Sequence, residues 1–285
     1  MKIIADIGSN WRIGNDMNEN YLSTLVLMEK LHKIGVNFVK FQFWNTETFI
    51  HKDHPSYSTY EKLQVPGDWY EKLLYEANRI GIGFMSTPFD FTIANKMHKL
   101  GQKHWKISSG DANFIPLIEK LAKFKQPIYI STGNCNEYEI NDAVNLIKTE
   151  SYNIPITILH CIPKYPTKFK EIGFERITHL IRKYPYCEIG WSSHLQGEEA
   201  KYAALLALAM GVNTLEVHVK PKDVETPDNF ALTVDEIHDL IQLLATAKEQ
   251  MISEPEINET ALLWDRRNNK DWKRPWIETE CKRED

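Results

Sequence analysis

Cysteine is scarce in this chain, and what there is does not pair. Cys135, Cys161, Cys187 and Cys281 are scattered over 285 residues with no CxxC spacing. That usage fits a reducing cytoplasm rather than a disulfide-stapled secreted domain. Long apolar runs are missing too. No stretch of about 18 uninterrupted apolar residues occurs, so a transmembrane span is not supported. The amino terminus, MKIIADIG, lacks the apolar core of a signal peptide. There is no basic excess: 34 Lys and Arg stand against 39 Asp and Glu, a net charge of −5. A protein that neutralises many phosphates along a nucleic acid carries the opposite balance. Neither nucleic acid nor membrane is expected as a partner.

What is present is an ordinary globular composition, 42% hydrophobic and 26% charged, over a length that suits one large α/β core. Runs rich in Val, Ile and Phe recur at 2–7, 37–43, 82–86, 103–108, 127–131, 155–161, 187–192 and 213–219, with helical patterns between them. Glycines punctuate several helix ends just before the next strand: Gly35, Gly81, Gly101 and Gly211. Eight βα units over roughly 250 residues match a (β/α)8 TIM barrel. An open doubly wound sheet is the rival, weakened by the absence of a GxGxxG turn after the first strand.

The barrel is expected over 1–252. Within it, 43–68 is too long and polar for a simple βα connection and is expected to lie over the mouth as a lid or partner-contacting arm. Residues 253–285 carry Trp264, Trp272 and Trp276 among many charges. They read as a tail packed on the barrel or on a neighbouring subunit.

In barrels the reacting groups sit at the carboxyl ends of the strands. Here those ends carry Asp6 and Asn10; Lys40 and Gln42, two apart and so on one face; Lys106, Ser108, Ser109 and Asp111; Ser131 and Thr132; His160; Ser192 and His194; Glu216 and His218. His194 and His218 close two late strands, and imidazoles meeting at one mouth suit a divalent metal. Lys40 in VKF and Lys106 in WKI place charge inside apolar runs. Such burial costs several kcal/mol unless an anion or carboxylate compensates it. Two ammoniums with several hydroxyls therefore point to a phosphate or carboxylate ligand. Each residue also has a plainer role: a strand-end lysine is often a solvated rim residue, His160 suits a hydrogen-bonded core histidine, and Ser108 and Ser109 suit a turn.

The motifs IIADIGSN, VKFQ, STPFD, KISSGDANFIPLI, ISTG, ILHC followed by YP, GWSSH, EVH and PDNFAL occur in order between residue 2 and about residue 245. This series resembles the sialic acid synthase family, whose members condense phosphoenolpyruvate with an N-acylated amino sugar. The resemblance implies a TIM barrel and a cytoplasmic, homodimeric enzyme acting on phosphoenolpyruvate and an amino sugar or related aldose. It implies that Lys40, Lys106, Ser109, Ser131 and Ser192 hold phosphoenolpyruvate, and that Gln42, Tyr165 and Asp228 face the sugar, with Asn10 in the same substrate-binding group. His194 and His218 would bind Mn2+ or Mg2+, and Asp6 or Asp111 would activate water or relay its proton.

Departures from the family pattern carry their own expectations. Asp6 stands where glutamate is usual, and Asp111 where many members have glutamate. Trp11 replaces a histidine, Pro163 an asparagine or serine, and Ser193 an aspartate. All three are expected at the mouth, altering the anion site and the metal ligand His194. Typical members continue into an antifreeze-like domain that adds an arginine across a dimer. The expectation here is an acceptor pocket completed by the 43–68 arm or the tail, or left more open to another aldose. A lyase or aldolase on another 2-oxo acid, and a catalytically idle sugar-binding barrel, remain the alternatives.

Overall fold

The computed structural model describes residues 1–221 and 224–252. The proposed tail, 253–285, lies outside them. Eight strands run parallel: β1 Lys2–Asp6, β2 Phe38–Phe43, β3 Gly83–Pro88, β4 Trp105–Ile107, β5 Ile128–Ser131, β6 Ile156–Cys161, β7 Glu188–Ser193 and β8 Thr214–Lys220. Each pairs with the next, and β8 pairs with β1, closing the barrel. The open-sheet rival is thereby excluded. A short β9, Leu232–Thr233, adds to the far end of β8 through Val219 and Lys220. Every strand lies within two residues of the span its hydrophobic pattern predicts.

Helices alternate with the strands: α1 Met17–Lys33, α2 Thr46–Phe49, α3 Tyr57–Leu63, α4 Trp69–Ile80, α5 Phe91–Lys99, α6 Ile115–Ala122, α7 Glu137–Glu150, α8 Phe174–Lys183, α9 Gly197–Ala209 and α10 Val234–Ile252. Local chemistry sets their starts. Asp16 accepts from Asn18 and Glu19 at α1, Asp90 accepts from Ile93 at α5, and Asn136 with Glu139 forms a capping box at α7. Gly35, Gly81, Gly101 and Gly211 all have positive φ at helix ends, as their placement before strands predicts. Residues 1–245 form one compact unit; of the second, 246–285, only the end of α10 is described.

The two faces of each strand divide the side chains. Ile3, Ala5, Val39, Phe41, Phe43, Trp105, Ile107, Ile158, Trp191, Leu215 and Val217 belong to the main core cluster shared with the helices. Ile4, Met85, Tyr129 and Leu159 form a second, small cluster inside the barrel, with Phe38 packed against it. Gly190 faces that cluster: a Cβ there would stand 2.4 Å from the Leu159 side chain and 2.7 Å from the Thr214 carbonyl. By alternation, Asp6, Lys40, Gln42, Lys106, Ser131, Cys161, Ser192, Glu216 and His218 point inward above this plug.

The 43–68 arm is structured rather than loose. Trp44 Nε1 donates to the Tyr60 carbonyl at 3.1 Å, and both Thr46 N and Thr46 Oγ1 donate to Gln64 Oε1. It docks on the connection after β1, through Trp11 Nε1 to Leu63 O and Arg12 to Lys62 O. Phe49 and Trp44 also meet Phe89, just after β3.

Candidate active site

Register brings the inward polar residues to one level. Asp6 pairs with Lys40 on one side and His218 on the other, and Ser192 pairs with Glu216. Lys40 Nζ lies 2.7 Å from Asp6 Oδ2 and 3.9 Å from Glu216 Oε1. Lys106 Nζ lies 3.9 Å from the same Glu216 oxygen and donates to the Ile107 carbonyl. Ser192 Oγ donates to Glu216 Oε1 at 2.9 Å, and Gln42 Nε2 donates to Asp6 Oδ2 at 2.8 Å. All but the half-buried Gln42 are buried.

The two lysines differ electrostatically. Burial pulls the Lys40 proton affinity down, but Asp6 and Glu216 outweigh it and the net shift is upward. For Lys106 burial wins: Glu216 offsets it only in part, Lys40 opposes, and the net shift is downward. Lys106 is therefore the ammonium whose charge is least compensated by the protein. Burial raises the Asp6 carboxyl, yet Lys40 and His218 bring it below the usual carboxylate range. Asp6 Oδ1 and Glu216 Oε2 are buried without a hydrogen-bond partner.

Around the lysines, Ser131 closes β5 and lies beside the buried Cys161 thiol, which also meets the Gly133 amide and Lys106. Gly133 is forced: a Cβ would stand 2.7 Å from Cys161 Sγ and 3.2 Å from Pro163 Cδ. The Ser109 carbonyl accepts from Cys135 Sγ at 3.6 Å. Asp111 takes a 2.7 Å hydrogen bond from Ser108 Oγ, and its carboxyl is shifted upward by burial against the pull of Ser108 and Lys106.

The histidines form an adjoining group. Their ring centroids are 5.3 Å apart. His194 Nδ1 is 2.8 Å from the Ile162 carbonyl, and His218 Nδ1 is 2.8 Å from Asp228 Oδ2. These contacts leave both Nε2 atoms for other use, the arrangement usual for metal-ligating imidazoles. His218 Nε2 is 3.6 Å from Asp6 Oδ2. Burial and the neighbouring His218 pull His194 down to about 4. Tyr165 lies 4.1 Å from the His194 ring, and Phe230 lies 4.9 Å from the His218 ring, boxing the pair. Among the described residues no set of three or more His, Cys, Asp or Glu surrounds one metal position.

Of the residues predicted to bind substrate, Gln42, Ser131, Ser192, Tyr165 and Asp228 lie with the lysines and histidines at one mouth, Ser109 is tied to the neighbouring loop by its carbonyl, and Asn10 stands apart. It is fully buried; its Nδ2 donates to the Val219 carbonyl and its Oδ1 accepts from the Asp228 amide, which places it beneath the loop rather than facing a ligand. Two of the three departures also leave the mouth. Trp11 is buried against Trp69 at 5.2 Å and ties down the arm. Ser193 faces outward, its hydroxyl accepting from the Leu195 amide, so it does not bear on His194 directly. Only Pro163 stays beside the mouth, its ring next to Gly133 in the loop after β5. His160 takes its plainer role, buried with Nε2 at 2.6 Å from the Ile172 carbonyl. The central place of Glu216 was legible in principle: two residues before His218, it must share that face. Phe230 lay inside the PDNFAL motif, but nothing in its spacing pointed to the histidines.

Fold and mouth together define a (β/α)8 barrel whose carboxyl-terminal face gathers two buried lysines, two buried carboxylates and a pair of histidines. The chain belongs to the NeuB family, whose model matches residues 27–255. It is 33% identical over 236 residues to an uncharacterized protein of Methanocaldococcus jannaschii, covering 82% of this chain and 66% of that one. It is 30% identical to the N,N'-diacetyllegionaminic acid synthase of Campylobacter jejuni, covering 74% and 68%, and 27% identical to the pseudaminic acid synthase of Helicobacter pylori, covering 92% and 78%. The chain thus spans about two thirds to three quarters of these relatives' lengths. The N-acetylneuraminic acid synthetase of Leptospira borgpetersenii, solved with citrate, superposes with a TM-score of 0.82 at 25% identity, covering 95% and 92%.

Proposed function

We propose that the protein condenses phosphoenolpyruvate with an N-acylated amino sugar or related aldose, releasing phosphate and a sialic-acid-like 2-keto-3-deoxy sugar acid. The observation that carries this reading is the pair of buried lysines flanking one carboxylate, with Lys106 left undercompensated, Ser192 on the same Glu216 oxygen and Ser131 against the Cys161 thiol. A buried ammonium in that state is stabilised by an incoming phosphate or carboxylate. The relatives' names, synthases of legionaminic and pseudaminic acids, support the acceptor class.

In this reading Lys40, Lys106, Ser109, Ser131 and Ser192 hold phosphoenolpyruvate, and Gln42, Tyr165 and Asp228 face the sugar. C3 of phosphoenolpyruvate attacks the aldehyde carbon of the open-chain sugar. Water adds at C2, and the tetrahedral intermediate loses phosphate by breaking the C2 to oxygen bond. Asp111, whose proton affinity is raised, suits the group that takes the proton of that water; Asp6 stays ionised as the partner of Lys40. The two histidines fit a divalent ion as a pair of donors, since both have Nδ1 engaged and Nε2 left over, while among the described residues no third His, Cys, Asp or Glu joins them around one position. His194 and His218 would hold Mn2+ or Mg2+, which when bound supplies Lewis-acid polarisation of the aldehyde oxygen.

The test is phosphate release from phosphoenolpyruvate with manganese across N-acylated hexosamines and simple aldoses. Release that requires both an acceptor and His218, being lost in His218→Ala, is the expected result. Retained manganese binding with no release on any sugar would leave the lyase or idle-barrel alternatives.

A further inference from the structure

We propose that Arg176, on the outer helix layer, is a positioning residue that sets the affinity of the mouth for phosphoenolpyruvate by bracing the loop after β5 from behind. The inference rests on the phosphoenolpyruvate reading above.

The loop 132–136 joins β5 to α7 and follows Ser131. Arg176 sits in the first turn of α8, and its Nη2 reaches inward to two carbonyls of that loop, Thr132 O at 3.3 Å and Cys135 O at 2.8 Å. A trans peptide points its C=O and N–H in opposite directions. Turning the Thr132 carbonyl out toward Arg176 therefore turns the Gly133 N–H in, toward Cys161 and the neighbourhood of Lys106. The same loop holds its neighbour, since Cys135 Sγ donates to the Ser109 carbonyl. One guanidinium thus orients both hydroxyl-bearing segments on that side of the mouth.

The arginine is itself held in place. His160 on β6 engages the Ile172 carbonyl immediately before α8, fixing the start of that helix to the barrel. Arg176 also borders a cavity of about 360 Å³ between α7 and α8, lined by Asn136, Ile140, His179, Leu180 and Tyr184 among others. That space gives a small cation access to the carbonyls once the side chain is removed.

The experiment measures phosphoenolpyruvate binding calorimetrically in the wild type, Arg176→Ala and Arg176→Lys, with and without millimolar guanidinium. Because a single nitrogen serves both carbonyls, lysine should retain most of the affinity. Alanine should raise Kd roughly tenfold, the effect of losing one charged hydrogen-bonding group. Guanidinium should restore binding to the alanine variant while leaving the wild type unchanged. Where turnover is measurable, KM for phosphoenolpyruvate should rise and that for the acceptor should not. An unchanged Kd in Arg176→Ala would overturn the proposal. So would a loss that neither lysine nor guanidinium restores, since that marks general destabilisation. A wild type that does not bind phosphoenolpyruvate overturns both this proposal and the function. Binding without phosphate release on any acceptor overturns the function alone.

Discussion

At the scale of single residues, the site is a balance of buried charges that an anion would complete. Glu216 is central: its Oε1 serves Ser192 and stands 3.9 Å from both lysines, while its Oε2 has no hydrogen-bond partner. In the free protein it is the carboxylate that offsets Lys106, and on the proposed reading it is also a negative charge beside the phosphoenolpyruvate site. Stability and ligand affinity therefore pull in opposite directions here. Glu216→Gln should destabilise the free protein by about 3 kcal/mol, the usual cost of leaving a buried partner uncompensated. Inorganic phosphate should then raise the melting temperature of the variant more than that of the wild type. Equal phosphate responses, measured by thermal unfolding, would show that Glu216 does not compete with the anion. The lysines themselves were legible from the sequence, because a charge inside VKF or WKI has no other inexpensive place in a barrel. The role of Asn10 was not, because strand-end position says nothing about whether a loop will fold over the side chain.

At the scale of elements, period-2 alternation predicted which strand residues enter the barrel, and glycines predicted where helices end. Both signals are local, and both survive folding because each strand has one face on the helices and one on the interior. The arm is a different matter. Its polarity suggested a cover over the mouth; its two short helices are tied within the arm by Trp44 Nε1 to Tyr60 O, and it is held to the connections after β1 and β3 by the Trp11 indole and by Phe89. Trp11 replaces a polar family residue, so it looked like a change in the site; burial against Trp69 makes it an anchor instead. Trp11→Phe keeps the apolar contact and removes the donor to Leu63 O, at a cost of about 1 kcal/mol. The expected result is faster amide exchange across α3 with unchanged exchange in the barrel strands. Uniform acceleration through the barrel would instead make Trp11 a general core residue.

At the scale of the molecule, closure could be counted but not seen in any one segment: the β1 to β8 pairing joins residues over 200 apart in sequence. What binds the closed sheet to its helices is mostly apolar, with a few buried polar ties, and His160 is one of them. Its Nε2 donates to the Ile172 carbonyl, while Nδ1 is buried with no partner. Burial accordingly pulls its proton affinity down, the Ile172 carbonyl offsetting this only in part. The unfolded chain binds that proton near the ordinary imidazole value of about 6.5. The native state resists it, so this contribution to stability is present above that value and declines as pH falls below it. One such group can steepen the pH dependence by at most about 1.4 kcal/mol per pH unit. His160→Gln keeps an amide donor for Ile172 without a titrating ring. Urea unfolding of the two proteins should diverge most above pH 6.5, where the wild type is favoured, and converge as pH falls toward 5. Parallel curves across that range would mean that the imidazole is protonated equally in both states, and that the tie between β6 and α8 does not depend on its neutrality.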